Sequence, residues 1–153
     1  MPNNTKQLKT IIDDVLRPLG FTNKRSAWYR HRQDTILIVD LQKSDFGGQY
    51  YVNLSVVLRG LNADDYPREE FGHVRKRLDR IIEQREYANV AFDLEDTSIT
   101  SSERQLRISQ LIARGAEWLE GLSMVEVLTR ELRSNESLQR HTTLQARGFL
   151  GLE

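Results

Sequence analysis

Two strand-like stretches, Thr35 to Ser44 and Gln49 to Arg59, flank the short segment Asp45-Phe46-Gly47-Gly48, and this arrangement limits the possible folds more than any other feature of the chain. Both stretches are rich in Ile, Val, Leu and Tyr, which suit a pleated surface. A connection this short leaves room only for an antiparallel hairpin. With 45–48 as the loop, Ser44 faces Gln49, and Leu37/Val56, Val39/Leu54 and Leu41/Val52 fall on one face, all apolar. The opposite face carries Ile38/Ser55, Asp40/Asn53 and Gln42/Tyr51, grading from apolar to polar along the strands. A turn at Gln33-Asp34 then pairs an earlier ribbon, Phe21 to Arg32, with the first stretch. It places Trp28 opposite Val39 on the apolar face and Tyr29 and His31 on the other. Gln-Asp is not a favoured turn pair, and a slip by one residue would reverse every side chain.

Around this sheet the period becomes helical. Residues 5–19 carry Leu8, Ile11, Ile12, Val15, Leu16 and Leu19 as one stripe, with Asn4 or Thr5 as cap and Pro18 and Gly20 at the end. Residues 60–100 read as loop-rich. Within them 73–82 fits either a fourth strand or a helix, and Tyr87 to Thr100 reads as irregular, with an extended piece around Val90 to Phe92. Two capping boxes, Ser102-Glu-Arg-Gln105 and Ser123-Met-Val-Glu126, predict two helices within 102–133, the first to about Glu120 and the second over 124–133. Gly121 is the expected C-terminal cap between them. In the tail, 134–153, Phe149, Leu150 and Leu152 suggest docking. The expectation is an α+β fold in a single domain, 1–153: an antiparallel sheet of three to four strands with an N-terminal helix and C-terminal helices packed against it.

Composition narrows the chemistry. The chain of 153 residues has no Cys, which excludes a disulfide framework, a thiolate zinc site and a thiol nucleophile. Lys+Arg and Asp+Glu balance at 22 each, which argues against a nucleic-acid binder, although basic residues concentrate before residue 60 and acidic ones over 61–100. The longest aliphatic run, Ile36 to Val39, is far short of a membrane span, and Met1 to Thr5 has no apolar signal core. The expected compartment is therefore the cytoplasm.

The segments Gly20-Phe21-Thr-Asn-Lys-Arg-Ser-Ala-Trp28-Tyr29-Arg30, Val39-Asp-Leu-Gln42-Lys43-Ser44 and Tyr51-Val-Asn53-Leu-Ser-Val together resemble a bacterial family known as domain of unknown function 4304. The resemblance extends through His73-Val-Arg-Lys-Arg77-Leu78 and the capped helices, over about residues 8–130. It implies an α+β fold in a small cytosolic protein and brings no catalytic residue or ligand.

No catalytic constellation emerges from the residues themselves. Asp45-Phe46-Gly47 spells a kinase metal motif without the Gly loop, strand lysine or catalytic loop that it requires. His31, His73 and His141 lack ligand spacing. His31 and Asp40 stand four strand positions apart in the expected register, roughly 13 Å, too far for direct proton transfer. No metal, catalytic residue or cofactor is expected. The basic cluster Arg75-Lys76-Arg77 with Arg80 suits a solvated face, with Arg75 and Asp79 paired if the segment is helical. The most suggestive group is Tyr29, Asp40, Gln42, Tyr51, Asn53 and Ser55 on one sheet face, since amides, a carboxylate and amphipathic aromatics are recognition chemistry. Buried under a helix, the same groups would only pair with one another. These observations favour a protein-binding module, adaptor or immunity-type, with another protein as partner. A nucleic-acid-binding accessory domain and an enzyme of unrecognised type are the alternatives.

Overall fold

The structure, a computed structural model, describes residues 4–152; Met1 to Asn3 and Glu153, the ends of the expected 1–153 domain and of its tail, lie outside it. Helix α1 (Thr5–Leu16) is capped by Asn4, whose side chain accepts from the Gln7 N–H. A 3-10 turn follows, and Gly20, at φ 94°, ends it in a left-handed conformation suited to glycine.

Five antiparallel strands follow in simple order, one more than the upper expectation: β1 (Thr22–Lys24), β2 (Ala27–His31), β3 (Thr35–Lys43), β4 (Tyr50–Leu58) and β5 (Val74–Arg77). The ribbon expected over 21–32 is two strands folded sharply at Arg25-Ser26, where Asn23 donates to the Arg25 and Ala27 carbonyls. Both expected registers hold. Leu37 faces Val56, Val39 faces Leu54, and Trp28 faces Val39. The Gln33-Asp34 turn is closed by the Arg32 N–H on the Thr35 carbonyl and braced by the Arg59 side chain on the Arg32 carbonyl. Arg59, just past the end of β4, thus supplies support that the turn residues lack.

Residues 73–82 are both alternatives in succession, strand to Arg77 and then one helical turn, α2 (Leu78–Ile81). The irregular 87–100 segment is a correction, because α3 (Arg85–Phe92) occupies its first part. Ala88, Ala91 and Phe92 at helical spacing are buried, so packing decides where local propensity is weak. Helix α4 (Ser101–Gly121) starts from Thr100, whose hydroxyl accepts from the Glu103 N–H, and not from Ser102. Helix α5 (Val125–Ser134) forms without the second capping box, since Ser123 donates to the Glu120 carbonyl instead. Gly121 is the last residue of α4 and Leu122 the cap, so the expected glycine cap is not used.

The tail docks. Helices α6 (Glu136–Arg140) and α7 (Leu144–Phe149) bury Leu138 and Ala146. Between them Thr142 bridges Val74, and the Arg75 N–H donates to the His141 carbonyl. This covers part of the outer edge of β5, whose free N–H and C=O groups would otherwise invite another strand.

One sheet face and all the long helices enclose the main core, in which Trp28, Leu37, Val39, Leu54 and Val56 are buried. Helix α4 lies on β3 and β4, and α1 lies on α4. Gly115 lets α4 sit close to its neighbours: a Cβ there would stand 3.1 Å from Leu78 Cδ1 of α2 and 3.4 Å from Leu54 Cδ1 of β4. Among the described residues the second face is covered by no long helix, only by the connection 59–73 with its single 3-10 turn, Glu69–Phe71. A smaller cluster, Ala27, Tyr29, Ile36, Ile38 and Val57, occupies its apolar end beneath the connection 59–73.

Candidate functional site

The connection 59–73 divides the second face into a sealed half and an open half. Three contacts pin it. The Tyr29 hydroxyl donates to the Pro67 carbonyl at 2.9 Å. Tyr66 stands edge-on to both Tyr29 and His31, each at 5.1 Å between centroids. The Ser55 hydroxyl, fully buried, lies 2.6 Å from the Glu69 carboxylate and 2.9 Å from the Glu69 carbonyl. Glu69 is itself buried and takes a two-point contact from Arg75, Nε at 2.9 Å and Nη2 at 3.0 Å. This forked bond holds the Arg75 guanidinium firmly in its charged form.

Of the expected group, Ser55 and Tyr29 are engaged by this connection, although Tyr29 also lines a cavity beside Asp40. Ser55 is sealed, and Tyr29 is buried with its hydroxyl already bonded. The covering element is a loop and not the helix 102–120, because that helix spends its apolar stripe on the other face.

Beyond Glu69 the face is open. A cavity of about 800 Å³ lies over Asp40, Gln42 and Asn53, between Lys24 and Arg25 of the first hairpin and Tyr66, Arg68 and Glu70 of the loop. It runs into a second cleft of about 290 Å³, lined by Arg77, Arg80 and His141 among others. The two share Gln42, Asn53, Glu69 and Arg75, making one groove across the sheet. The Asn53 amide donates to Gln42 Oε1 at 2.9 Å and to Asp40 Oδ2 at 3.3 Å. Asn53 Oδ1 accepts from Arg77 Nε at 3.2 Å, and the Arg77 guanidinium lies 4.2 Å over the Tyr51 ring. Of the expected group, Tyr29, Asp40, Gln42 and the buried Asn53 thus line the open half, and Tyr51 stands at its side beneath Arg77.

Burial raises the Asp40 pKa, Asn53 opposes this, and the charges of Glu69 and Glu70 add to the rise while Arg75 counters it. Because the folded value exceeds the unfolded one, the Asp40 carboxylate weakens the fold at neutral pH, and the penalty shrinks as pH falls through the raised value and is gone below the unfolded one. Asp40→Asn is expected to melt above wild type at pH 7, with the difference closing on acidification. A lower melting temperature for Asp40→Asn at pH 7 contradicts this sign.

The three histidines have separate roles. The His73 Nδ1 accepts from the Leu58 N–H at 2.9 Å, and burial lowers its pKa, so it is a neutral partner that completes β4. His31 meets the Asp65 carbonyl at 2.5 Å. His141 is held below its usual pKa by burial and by Lys76, Arg80 and Arg140. Among the described residues no group of three or more His, Asp or Glu could hold a metal ion, and no helix is long and apolar enough to cross a membrane.

Glu69, Arg77 and His141 escape a reading of the sequence alone. A strand assignment of 74–77 would have placed Arg75 and Arg77 on the polar face, opposite Ser55 and Asn53. The helical pairing of Arg75 with Asp79 fails for the same reason, and Arg75 goes to Glu69.

A five-stranded antiparallel sheet with helices on one face and a polar groove on the other defines a small α+β domain. Residues 12–121 match the family described as Domain of unknown function (DUF4304), and the chain belongs to it. No curated protein and no solved structure matches the chain.

Proposed function

We propose that this is a small cytoplasmic bacterial protein-binding module, adaptor or immunity-type, working without a cofactor, whose recognition surface is the open half of the second sheet face. The observation that carries the reading is the division of that face. The loop 59–73 buries its apolar end and leaves Gln42 exposed and Tyr51 half-buried beside Asn53. An exposed amide at Gln42 and a half-buried aromatic at Tyr51 on central strands add little to a fold whose core lies on the other face. They offer a partner directional hydrogen bonds and rigid contact area.

Gln42→Ala and Tyr51→Ala separate recognition from folding. Truncating an interface anchor typically costs about 2 kcal/mol of binding or more. Each variant is therefore expected to lose roughly 30-fold or more in retention of a discrete partner from native-host extract, with the melting temperature unchanged. Full retention with a large fall in melting temperature assigns both residues to the fold.

A further inference from the structure

Arg77 is held by uncharged neighbours only. Its ring contact is Tyr51, and its hydrogen bonds go to Asn53 Oδ1 and, at 3.4 Å, to Gln42 Oε1. The guanidinium is thus fixed in place while its charge is left uncompensated. Arg75, two residues earlier, is neutralised by Glu69. Among the described residues none of Lys76, Arg77, Arg80 and Arg140 makes an ion pair. Lys76, Arg77, Arg80 and His141 line the same cleft, and Arg140 adds to the positive field at His141. Glu69 is the one carboxylate among the described residues of the cleft lining, and Arg75 occupies it. Asp79 borders a different, very small cavity with Tyr51 and Leu78.

We infer that the cleft formed by Arg77, Arg80 and His141 binds the phosphate of a phosphorylated side chain on the partner protein, an inference that rests on the binding reading above. Several uncompensated cations around a preset guanidinium match a dianion better than a single carboxylate. The adjoining half of the groove decides between a phosphorylated protein and a nucleic acid. Its lining mixes Asp40, Glu69 and Glu70 with Lys24, Arg25, Arg68 and Arg75, and Arg68 and Arg75 are already paired with Glu70 and Glu69, so it offers one dianion a mixed-charge peptide track and gives a run of phosphates no continuous basic stripe.

The geometry also gives the site a pH dependence. His141 faces Lys76 on β5, Arg80 on α2 and its own neighbour Arg140, with Glu69 and Arg75 across the cleft. Burial and these cations keep His141 below its usual pKa, and a bound dianion offsets the cations, so binding draws a proton onto the ring and strengthens as pH falls.

The test uses the full chain and N-acetyl-phosphoserine amide, followed by NMR at the His141 ring and the Arg77 side chain. Saturable shifts are expected, with at least tenfold weaker binding of N-acetyl-glutamate amide. Arg80→Met, at an exposed position, is expected to weaken phosphoserine binding at least tenfold without a change in melting temperature, and Arg77→Met to weaken it further. Sulfate, whose charge is constant between about pH 5 and 8, is expected to bind more tightly as pH falls below neutrality, and His141→Gln to abolish that gain. Absence of saturable shifts, equal affinity for the glutamate probe, or tighter binding of an oligothymidylate than of phosphoserine at equal phosphate concentration overturns the inference. A partner retained equally after phosphatase treatment and by Arg80→Met also overturns it, while leaving the binding-module reading in place. Phosphoserine binding with no loss of partner in Gln42→Ala and Tyr51→Ala supports the cleft and counts against that reading.

Discussion

Arg104→Met is expected to lower stability by about 3–5 kcal/mol, or about 6–20 °C in melting temperature at roughly 2–4 °C per kcal/mol for a chain of this size. Arg104 is only 2% exposed, on the inner side of α4. Its Nη1 donates to the carbonyls of Val90 at 2.7 Å, Ala91 at 2.9 Å and Asp93 at 2.7 Å, and its Nη2 to that of Asp96. These carbonyls belong to the end of α3 and the turn after it, where a helix leaves acceptors without partners and its dipole favours a cation. Methionine fills much of the volume and supplies no donor, so the Ala91 and Asp96 carbonyls lose their donor while those of Val90 and Asp93 keep only the N–H groups of Asp93 and Asp96. Arg104→Lys keeps the charge but cannot span the same carbonyls, and an intermediate loss is expected. Thermal unfolding by circular dichroism checks both variants, and a change below about 2 °C for Arg104→Met would contradict the view that α3 is held from α4.

Gly72→Ala is expected to cost about 3 kcal/mol and to loosen the loop that seals half of the second face. The glycine φ is ordinary, so the requirement is space and not conformation. A Cβ at this position would lie 2.6 Å from Ser55 Cβ and 2.4 Å from Ser55 Oγ. Rotating the serine hydroxyl could relieve the second contact but not the first, since Ser55 Cβ is fixed by the central strand β4. The loop must retreat, and the hydrogen bonds of Ser55 to Glu69 go with it. Ser55→Gly removes the clashing atoms, so the double variant should lose less than the sum of the two singles, with a coupling of about 1 kcal/mol or more. Hydrogen exchange over residues 66–72 should rise in Gly72→Ala and fall back in the double variant. Strict additivity, or unchanged exchange in Gly72→Ala, would contradict this contact as the seal.

The hairpin was legible because two constraints agree. A four-residue loop sets the β3–β4 register, and only that register makes an unbroken apolar face of Leu37, Val39, Leu41, Val52, Leu54 and Val56. The polar half of the opposite face follows from the same arithmetic, which is why Asp40, Gln42, Tyr51 and Asn53 were identifiable as a group. Their exposure was not, because it depends on the aperiodic segment 59–73. Glu69 reaches Ser55 and Arg75 only after that segment has folded back over the sheet. Helix α3 is obscure for a related reason. It has no side-chain cap, and much of its support comes from Arg104 in another helix. Arg104 does continue the stripe of Ile108, Leu111, Ile112 and Gly115 toward the N-terminus, so an arginine on the apolar side was a readable sign of buried acceptors. Thr100 and Ser102 each begin a hydroxyl-x-x-Glu/Gln pattern. The pattern alone cannot choose between two caps spaced by two residues.

Whether the open half of the face is where a partner docks is tested most directly by site-specific photo-crosslinking in cells of the native host. A photoreactive residue at position 42 in the groove is compared with one at position 145, which is exposed on α7. The account predicts one discrete covalent partner protein from position 42, absent from position 145 and lost when Tyr51→Ala is introduced into the same chain. No adduct from position 42, or the same adducts from both positions, would contradict it.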